Sequence, residues 1–266
     1  MYEEYWGLKE KPFQNTPDPR FLYYSSEHEE ALTRLTYTVK EDLGVAMLAG
    51  VFGCGKTLIG QALMEELGEG HNIAFVTNPN LNHVELLREI AYQLGTKDNL
   101  PREKTDLMHL LNDILRNNMN DGKKTVVVID EAHIIEDRMV FEELRFLLNL
   151  QLRDRFLLTL ILMGQPELEE KITANKQFSQ RIAMKYRLDR LTEDETHDYV
   201  VHRLKVAGRT EPIFSPEAMK SIFKAAGGIP RRINHLCEMS LLIGFGTRVD
   251  KIGEAIVQEA AKDLVG

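Results

Sequence analysis

The run Gly50-Val51-Phe52-Gly53-Cys54-Gly55-Lys56-Thr57 has the spacing G-x-x-x-x-G-K-T, a pattern suited to holding the phosphates of a nucleotide. Gly53 and Gly55 let the main chain turn so that consecutive amide N–H groups point inward at the anion, with no side chain to intrude. The Lys56 ammonium would reach the outer phosphates and the Thr57 hydroxyl would ligate Mg2+. A helix opening at Lys56 adds its unpaired amides and positive dipole end, which extends the cradle to Leu58. Cys54 occupies a loop position that a small residue fits; a redox-sensitive loop is the alternative reading.

Val126-Val127-Val128-Ile129-Asp130-Glu131 reads as a buried strand ending in two acids, the second half of such a site. Asp130 would hold Mg2+ through its water shell, and Glu131 would polarise the water that attacks the terminal phosphate. A strand ending in Asp-Glu is common by itself; paired with a full phosphate loop it is specific. The tetrapeptide Asp130-Glu131-Ala132-His133 also occurs in helicases, but those enzymes need a second sheet domain, and everything after Leu188 reads as helix. His133 is therefore read as a local hydrogen-bonding residue.

These groups must be carried by a scaffold. Val45–Ala49, Ile73–Thr77, Thr125–Ile129 and Phe156–Met163 are short apolar runs of the kind that form buried parallel strands. Between them, 56–67, 83–94, 105–119 and 137–151 carry apolar residues at helical spacing, so the class is α/β with a parallel sheet flanked by helices. From Thr192 onward the pattern is helical: 192–206, 215–226, 230–245 and 251–264. Thr192 with Glu195 forms a capping box, Ser215 precedes a proline suited to a first helical position, and Gly227-Gly228 separates two helices before Pro230. The first thirty residues interleave prolines with Trp6, Phe13, Phe21, Tyr23 and Tyr24, which excludes a long helix and predicts packing across the core domain. Packing is the plain role of those aromatics, with lining of a nucleotide base as the functional one.

The 266 residues are 43% apolar, enough for one large domain or two unequal ones. A net charge of -8 argues against a nonspecific nucleic-acid coat, although basic residues outnumber acids between Lys171 and Arg232. That stretch is either a solvated helical surface or a face for a polyanion or acidic partner. Two distant cysteines and no apolar run of spanning length predict a reducing, cytoplasmic setting without a membrane span.

With both halves of the site placed, the chain resembles the AAA+ P-loop ATPases, and among them the ExeA-like group named after general secretion pathway protein A. The resemblance rests on Tyr5-Trp6-Gly7-Leu8, Pro12-Phe13 and Thr16-Pro17-Asp18-Pro19-Arg20-Phe21-Leu22. It continues through Ile129-Asp130-Glu131-Ala132, Gly164-Gln165-Pro166-Glu167-Leu168, Gln180-Arg181-Ile182 and Gly227-Gly228-Ile229-Pro230-Arg231. It implies an opening segment (1–30), a P-loop ATPase core (31–190) and a smaller all-helical lid (191–266), assembled as a homo-oligomeric ring or filament with ATP and Mg2+ between subunits. Gln165 resembles the first sensor of the terminal phosphate, Arg231 the second sensor in the lid, and Arg181 the finger given to a neighbour's ATP; Arg187, Arg190 and Arg232 compete for the arginine roles. Larger members of the group carry a transmembrane segment and a peptidoglycan-binding region after the ATPase domain, so direct envelope anchoring of this chain is not expected. The resemblance implies an assembly factor for a secretion or pilus apparatus. Two alternatives stand beside it: an ATP-dependent regulator of transposition that forms filaments on DNA, and a nucleotide-gated scaffold with slow hydrolysis.

Overall fold

The computed structural model describes residues 1–16, 18–152 and 155–262. Pro17 of the opening run and Leu264, the expected end of the last helix, lie outside them. The strands are β1 (Val45–Gly50), β2 (His71–Val76), β3 (Lys124–Ile129), β4 (Gln151–Leu152), β5 (Arg155–Phe156), β6 (Leu158–Gly164) and β7 (Ile182–Leu188). The α-helices are α1 (Ser26–Lys40), α2 (Lys56–Leu67), α3 (His83–Gln93), α4 (Lys104–Asn120), α5 (Arg138–Leu148), α6 (Glu167–Ala174), α7 (Lys176–Ser179), α8 (Glu193–Val206), α9 (Pro216–Ala226), α10 (Pro230–Thr247) and α11 (Glu254–Lys262).

The chain divides into two compact units, one of which comprises Glu29–Val51 and Ile59–Leu188. Among its described residues five strands form a parallel sheet in the order β2-β3-β6-β1-β7. β1 and β6 are buried along their whole length and β3 from Thr125 onward, which is why they read as apolar runs in the sequence. Leu86, Leu87 and Ile90 of α3, Leu107, Leu111 and Leu115 of α4, and Leu144, Leu147 and Leu148 of α5 fill the core beside them. The register sets Ala49 beside Gly164 and Ile129 beside Leu162, so β1, β3 and β6 end close together on one edge of the sheet. In open parallel sheets that edge is where ligands bind.

β7 is a strand that apolar runs do not reveal. From Ile182 to Arg187 its residues alternate half-buried and exposed, the period of two expected of an edge strand with one covered face. The expected strand Phe156–Met163 is likewise divided: Arg155–Phe156 pairs antiparallel with Gln151–Leu152, and the sheet strand begins at Leu158.

The second unit comprises Met1–His28, Phe52–Leu58 and Asp189–Gly266. The opening segment, expected on the core domain, instead buries its aromatics among α8 to α11. Trp6 donates its indole N–H to the Leu241 carbonyl at 2.9 Å, and Phe13 meets Phe214 edge-on with centroids 6.3 Å apart. Arg203, 5% exposed, ties the segment down: its guanidinium donates to Pro12 O at 2.6 Å, Gln14 O at 3.0 Å and Tyr199 Oη at 2.8 Å. Apolar surface and unmet carbonyls thus find their partners in the helices rather than in the sheet.

Local signals set the helix ends. Thr192 and Glu195 make both bonds of the capping box of α8, and Ser215 caps α9 with Pro216 at its first position. Gly227 closes α9 in the left-handed conformation. α11 starts at Glu254 rather than Lys251, because Ile252 is held in a parallel bridge to Phe214. No helix among the described residues is long and apolar enough to cross a membrane.

Arg203→Ala leaves two buried acceptors and one part-buried acceptor without their donor and is expected to cost on the order of 3 kcal/mol. A denaturant titration would read this as a lower midpoint, with protease cutting within the first twenty or so residues becoming faster. An unchanged midpoint would show that the clamp contributes nothing.

Candidate functional site

The phosphate loop leaves β1 at Gly50 and enters α2 at Lys56. Its main chain has φ +82° at Gly53 and +102° at Gly55, and both positions are closely approached. A Cβ on Gly53 would stand 2.8 Å from the Cβ of Arg231, and one on Gly55 would stand 3.0 Å from Nε2 of His28. Glycine is thus required on two counts, backbone conformation and space.

The loop's carbonyls are tied from outside. Gly53 O accepts the Arg231 N–H at 3.3 Å, and Cys54 O lies 3.0 Å from His28 Nε2. The guanidinium of Arg231 stacks 4.7 Å from the Phe52 ring centroid, so the structure brings the expected lid arginine to the phosphate loop. Lys56 is buried, 5% exposed. Cys54 is fully buried, and burial pushes its thiol up against the opposing pull of the Lys56 charge, the reverse of a reactive thiolate.

His28 is a residue that the sequence reading missed. A carbonyl only accepts, so Nε2 carries the proton donated to Cys54 O; Nδ1 of the neutral ring then accepts from the Ser25 hydroxyl, 2.6 Å away. Ser25 Oγ also accepts the His28 N–H at 3.3 Å, and a serine three residues before His28 at a helix start is the one sequence signal available.

The acids belong to the other unit. Asp130, 3% exposed, follows β3; its N–H donates to Val76 O at 2.9 Å, and its Oδ1 accepts the Glu131 N–H at 2.8 Å. Glu131 has a left-handed backbone, φ +52°, which turns the chain sharply at the strand end. Gln165 follows β6, the neighbour of β3, and its side-chain amide lies 2.9 Å from Nε2 of His133. Nδ1 of His133 lies 3.3 Å from Glu131 Oε2. Lys171 holds this turn by donating to His133 O and, at 2.8 Å, to Ile135 O. Glu131, His133 and Gln165 therefore form one cluster, whereas Arg181 stands at the start of β7 with its guanidinium donating to Asn149 Oδ1 at 2.9 Å.

Among the described residues no three His, Cys, Asp or Glu side chains gather as a metal site. Mg2+ at a phosphate takes few protein ligands and completes its octahedron with water and phosphate oxygens, so it calls for no such cluster.

Burial depresses the pKa of His28, so the folded chain keeps its ring neutral while the unfolded chain titrates near its ordinary value of 6.5. The stability this gives is complete above that pH and is lost as pH falls below it. His202 is shifted in the same direction, by burial and then by Arg203, so the difference between parent and His28→Gln is the diagnostic quantity. Melting temperatures from pH 8 to 5 should fall more steeply in the parent; parallel curves would remove His28 from the linkage.

The sequence matches the AAA domain family over residues 39–172. It is 37% identical over 273 aligned residues to general secretion pathway protein A of Aeromonas hydrophila, covering 100% of this chain and 49% of that protein. The chain thus spans about half the length of that relative. In fold it is similar to Cdc6p from Pyrobaculum aerophilum, with a TM-score of 0.74, 18% identity, and coverage of 95% of this chain and 70% of that one. A second similar structure is the ORC2 protein of Aeropyrum pernix in ADPNP-ADP complexes, with a TM-score of 0.72, 18% identity, and coverage of 96% and 71%. The family match begins ahead of β1 and ends within α6, so it takes in the ends of β1, β3 and β6, and the chain belongs to the AAA family of P-loop ATPases.

Proposed function

We propose that this chain binds ATP with Mg2+ at residues 50–58 and hydrolyses it within a homo-oligomer that drives assembly or remodelling of a larger apparatus. The observation that carries the reading is the Gly50–Thr57 pattern lying between a buried strand and a helix, with the Gly53 carbonyl bonded to the Arg231 N–H and the Cys54 carbonyl to His28. Lys56 binds the outer phosphates, and Thr57 and Asp130 would hold the Mg2+, which neutralises phosphate charge when bound. Glu131 polarises the attacking water. Gln165 reads the terminal phosphate, and Arg231 couples its loss to the helical unit, a role supported by its bond to Gly53 O.

Arg181 is proposed as the finger that stabilises charge on a neighbouring subunit's phosphoryl group. Its place at the head of an edge strand supports this, since among the described residues no further strand covers that edge. The name of the Aeromonas hydrophila relative supports a secretion apparatus as the process served.

Lys56→Ala should abolish binding of a fluorescent ATP analogue, while Glu131→Gln should retain binding and lose about a hundredfold or more in turnover. Turnover equal to the parent in Glu131→Gln would remove the acid from the chemistry, and parent turnover that is itself negligible would favour the scaffold. Duplex DNA at two salt concentrations decides the transposition alternative: stimulation that vanishes with salt supports it, and indifference ends it. If Arg181 acts in trans, activity per subunit rises with protein concentration and Arg181→Ala flattens the curve; a flat parent curve argues for a self-sufficient subunit.

A further inference from the structure

The helical unit carries a concavity whose lining includes no residue of the phosphate loop: an open pocket of about 570 Å³ along α8, the 207–215 connection and the start of α9. That volume lies within the range of about 300–1,000 Å³ found for ligand sites. Leu204, Phe214 and Met219, all largely buried, line it with apolar surface, and Val201 of α8 joins them while remaining 41% exposed.

The charges around this apolar floor are sorted. Glu193 and Asp194 stand in the first turn of α8, and Lys205 stands in its last, about 18 Å along the axis. Lys220 of α9 and Lys251, next to the residue that bridges Phe214, add two more exposed ammonium groups to the lining. Both act on Glu217, whose carboxyl is held down first by its own main-chain N–H and the Ser215 hydroxyl and then by these two lysines, so their fields overlap. Among the described residues the side chains of Lys205, Lys220 and Lys251 make no hydrogen bond or ion pair, whereas Arg209 is taken up by Glu211 at 3.4 Å. Three separate segments thus bring unpaired cations to one apolar pocket, in a chain whose net charge is -8.

This combination selects among ligands. A nucleic-acid strand carries a charge at every phosphate and would meet Glu193, Asp194 and Glu211 along the same lining. A wholly apolar ligand would gain nothing from the lysines. A peptide can place one apolar side chain on the floor and carboxylates to one side of it, and α8 offers it a wall about 18 Å long.

We propose that this pocket is a docking site for a segment of a partner protein in which a large apolar side chain is neighboured on one side by acidic residues. The apolar group enters beside Val201, and the acids meet Lys205, Lys220 and Lys251. The basic stretch between Lys171 and Arg232, readable from sequence as a solvated surface or as a face for an acidic partner, serves in this part as the second. The site is independent of the nucleotide chemistry, which uses none of these residues.

Selection of a random dodecapeptide library on the immobilised full chain should enrich sequences with a leucine, methionine or aromatic residue beside aspartate or glutamate. An enriched peptide labelled with fluorescein should bind in solution by fluorescence polarisation. Val201→Glu, and Lys220→Glu combined with Lys251→Glu, should each weaken it by about tenfold or more. All three positions are exposed, so melting temperatures should stay at the parent's value. Exchanging the peptide's acids for lysine should abolish binding to the parent and restore it to the charge-reversed double variant. Should a variant melt early, that rescue decides, because loss of structure cannot produce it. No enrichment, enriched peptides without acids, or affinity unchanged in both variants overturns the proposal. So does a labelled single-stranded oligonucleotide that binds the parent, displaces the peptide and loses affinity in the lysine variant, which would give the site to phosphate.

Discussion

A loop that aims its amide N–H groups at an anion must send its carbonyls the opposite way, and carbonyls taken out of water need donors. In this chain the donors come from afar in sequence. Gly53 O is met by the N–H of Arg231 at the head of α10, and Cys54 O by the ring of His28 near the head of α1. The phosphate loop is therefore shaped by segments near both ends of the protein. The burial of Trp6 and Phe13 and the hold of Arg203 on Pro12 and Gln14 support the same unit from which both donors arise.

The acids rest on a different constraint. Glu131 is not glycine, yet it sits at φ +52°, a conformation that costs an ordinary side chain about 1 kcal/mol or more. Hydrogen bonds on both sides of the peptide hold it there, from its own N–H to Asp130 Oδ1 at 2.8 Å and from the Ile134 N–H to its carbonyl at 2.9 Å. Asp130 is buried at the end of β3, while Glu131, one residue on, is a third exposed and lies 3.3 Å from His133 Nδ1.

What the sequence disclosed follows from how locally each feature is determined. β1, β3 and β6 are buried on both faces and can be read from composition, and the caps of α8 and α9 need only residues three apart. β7 carries Lys185 and Arg187 on an exposed face, so its strand character lies in an alternation that mimics a polar linker. The loop's place between β1 and α2 was legible because its glycines and lysine form one contiguous motif. His28 was not, because its function lies in a bond spanning twenty-six residues. For the same reason the aromatic opening segment gave away its burial but not its partners: composition shows that Trp6 must be covered, and only the fold shows that Leu241 and Gly244 cover it.

The unit that contains the phosphate loop is assembled from three stretches, Met1–His28, Phe52–Leu58 and Asp189–Gly266, with the whole sheet encoded between the last two apart from β1. A nascent chain emerging from the ribosome therefore has its sheet residues available well before α8 to α11 exist. During that interval Tyr2, Trp6, Phe13 and Phe21 have none of their eventual helical neighbours, and the loop lacks the amide of Arg231. The interval before those helices exist is when the aromatic opening segment most needs shielding from other chains.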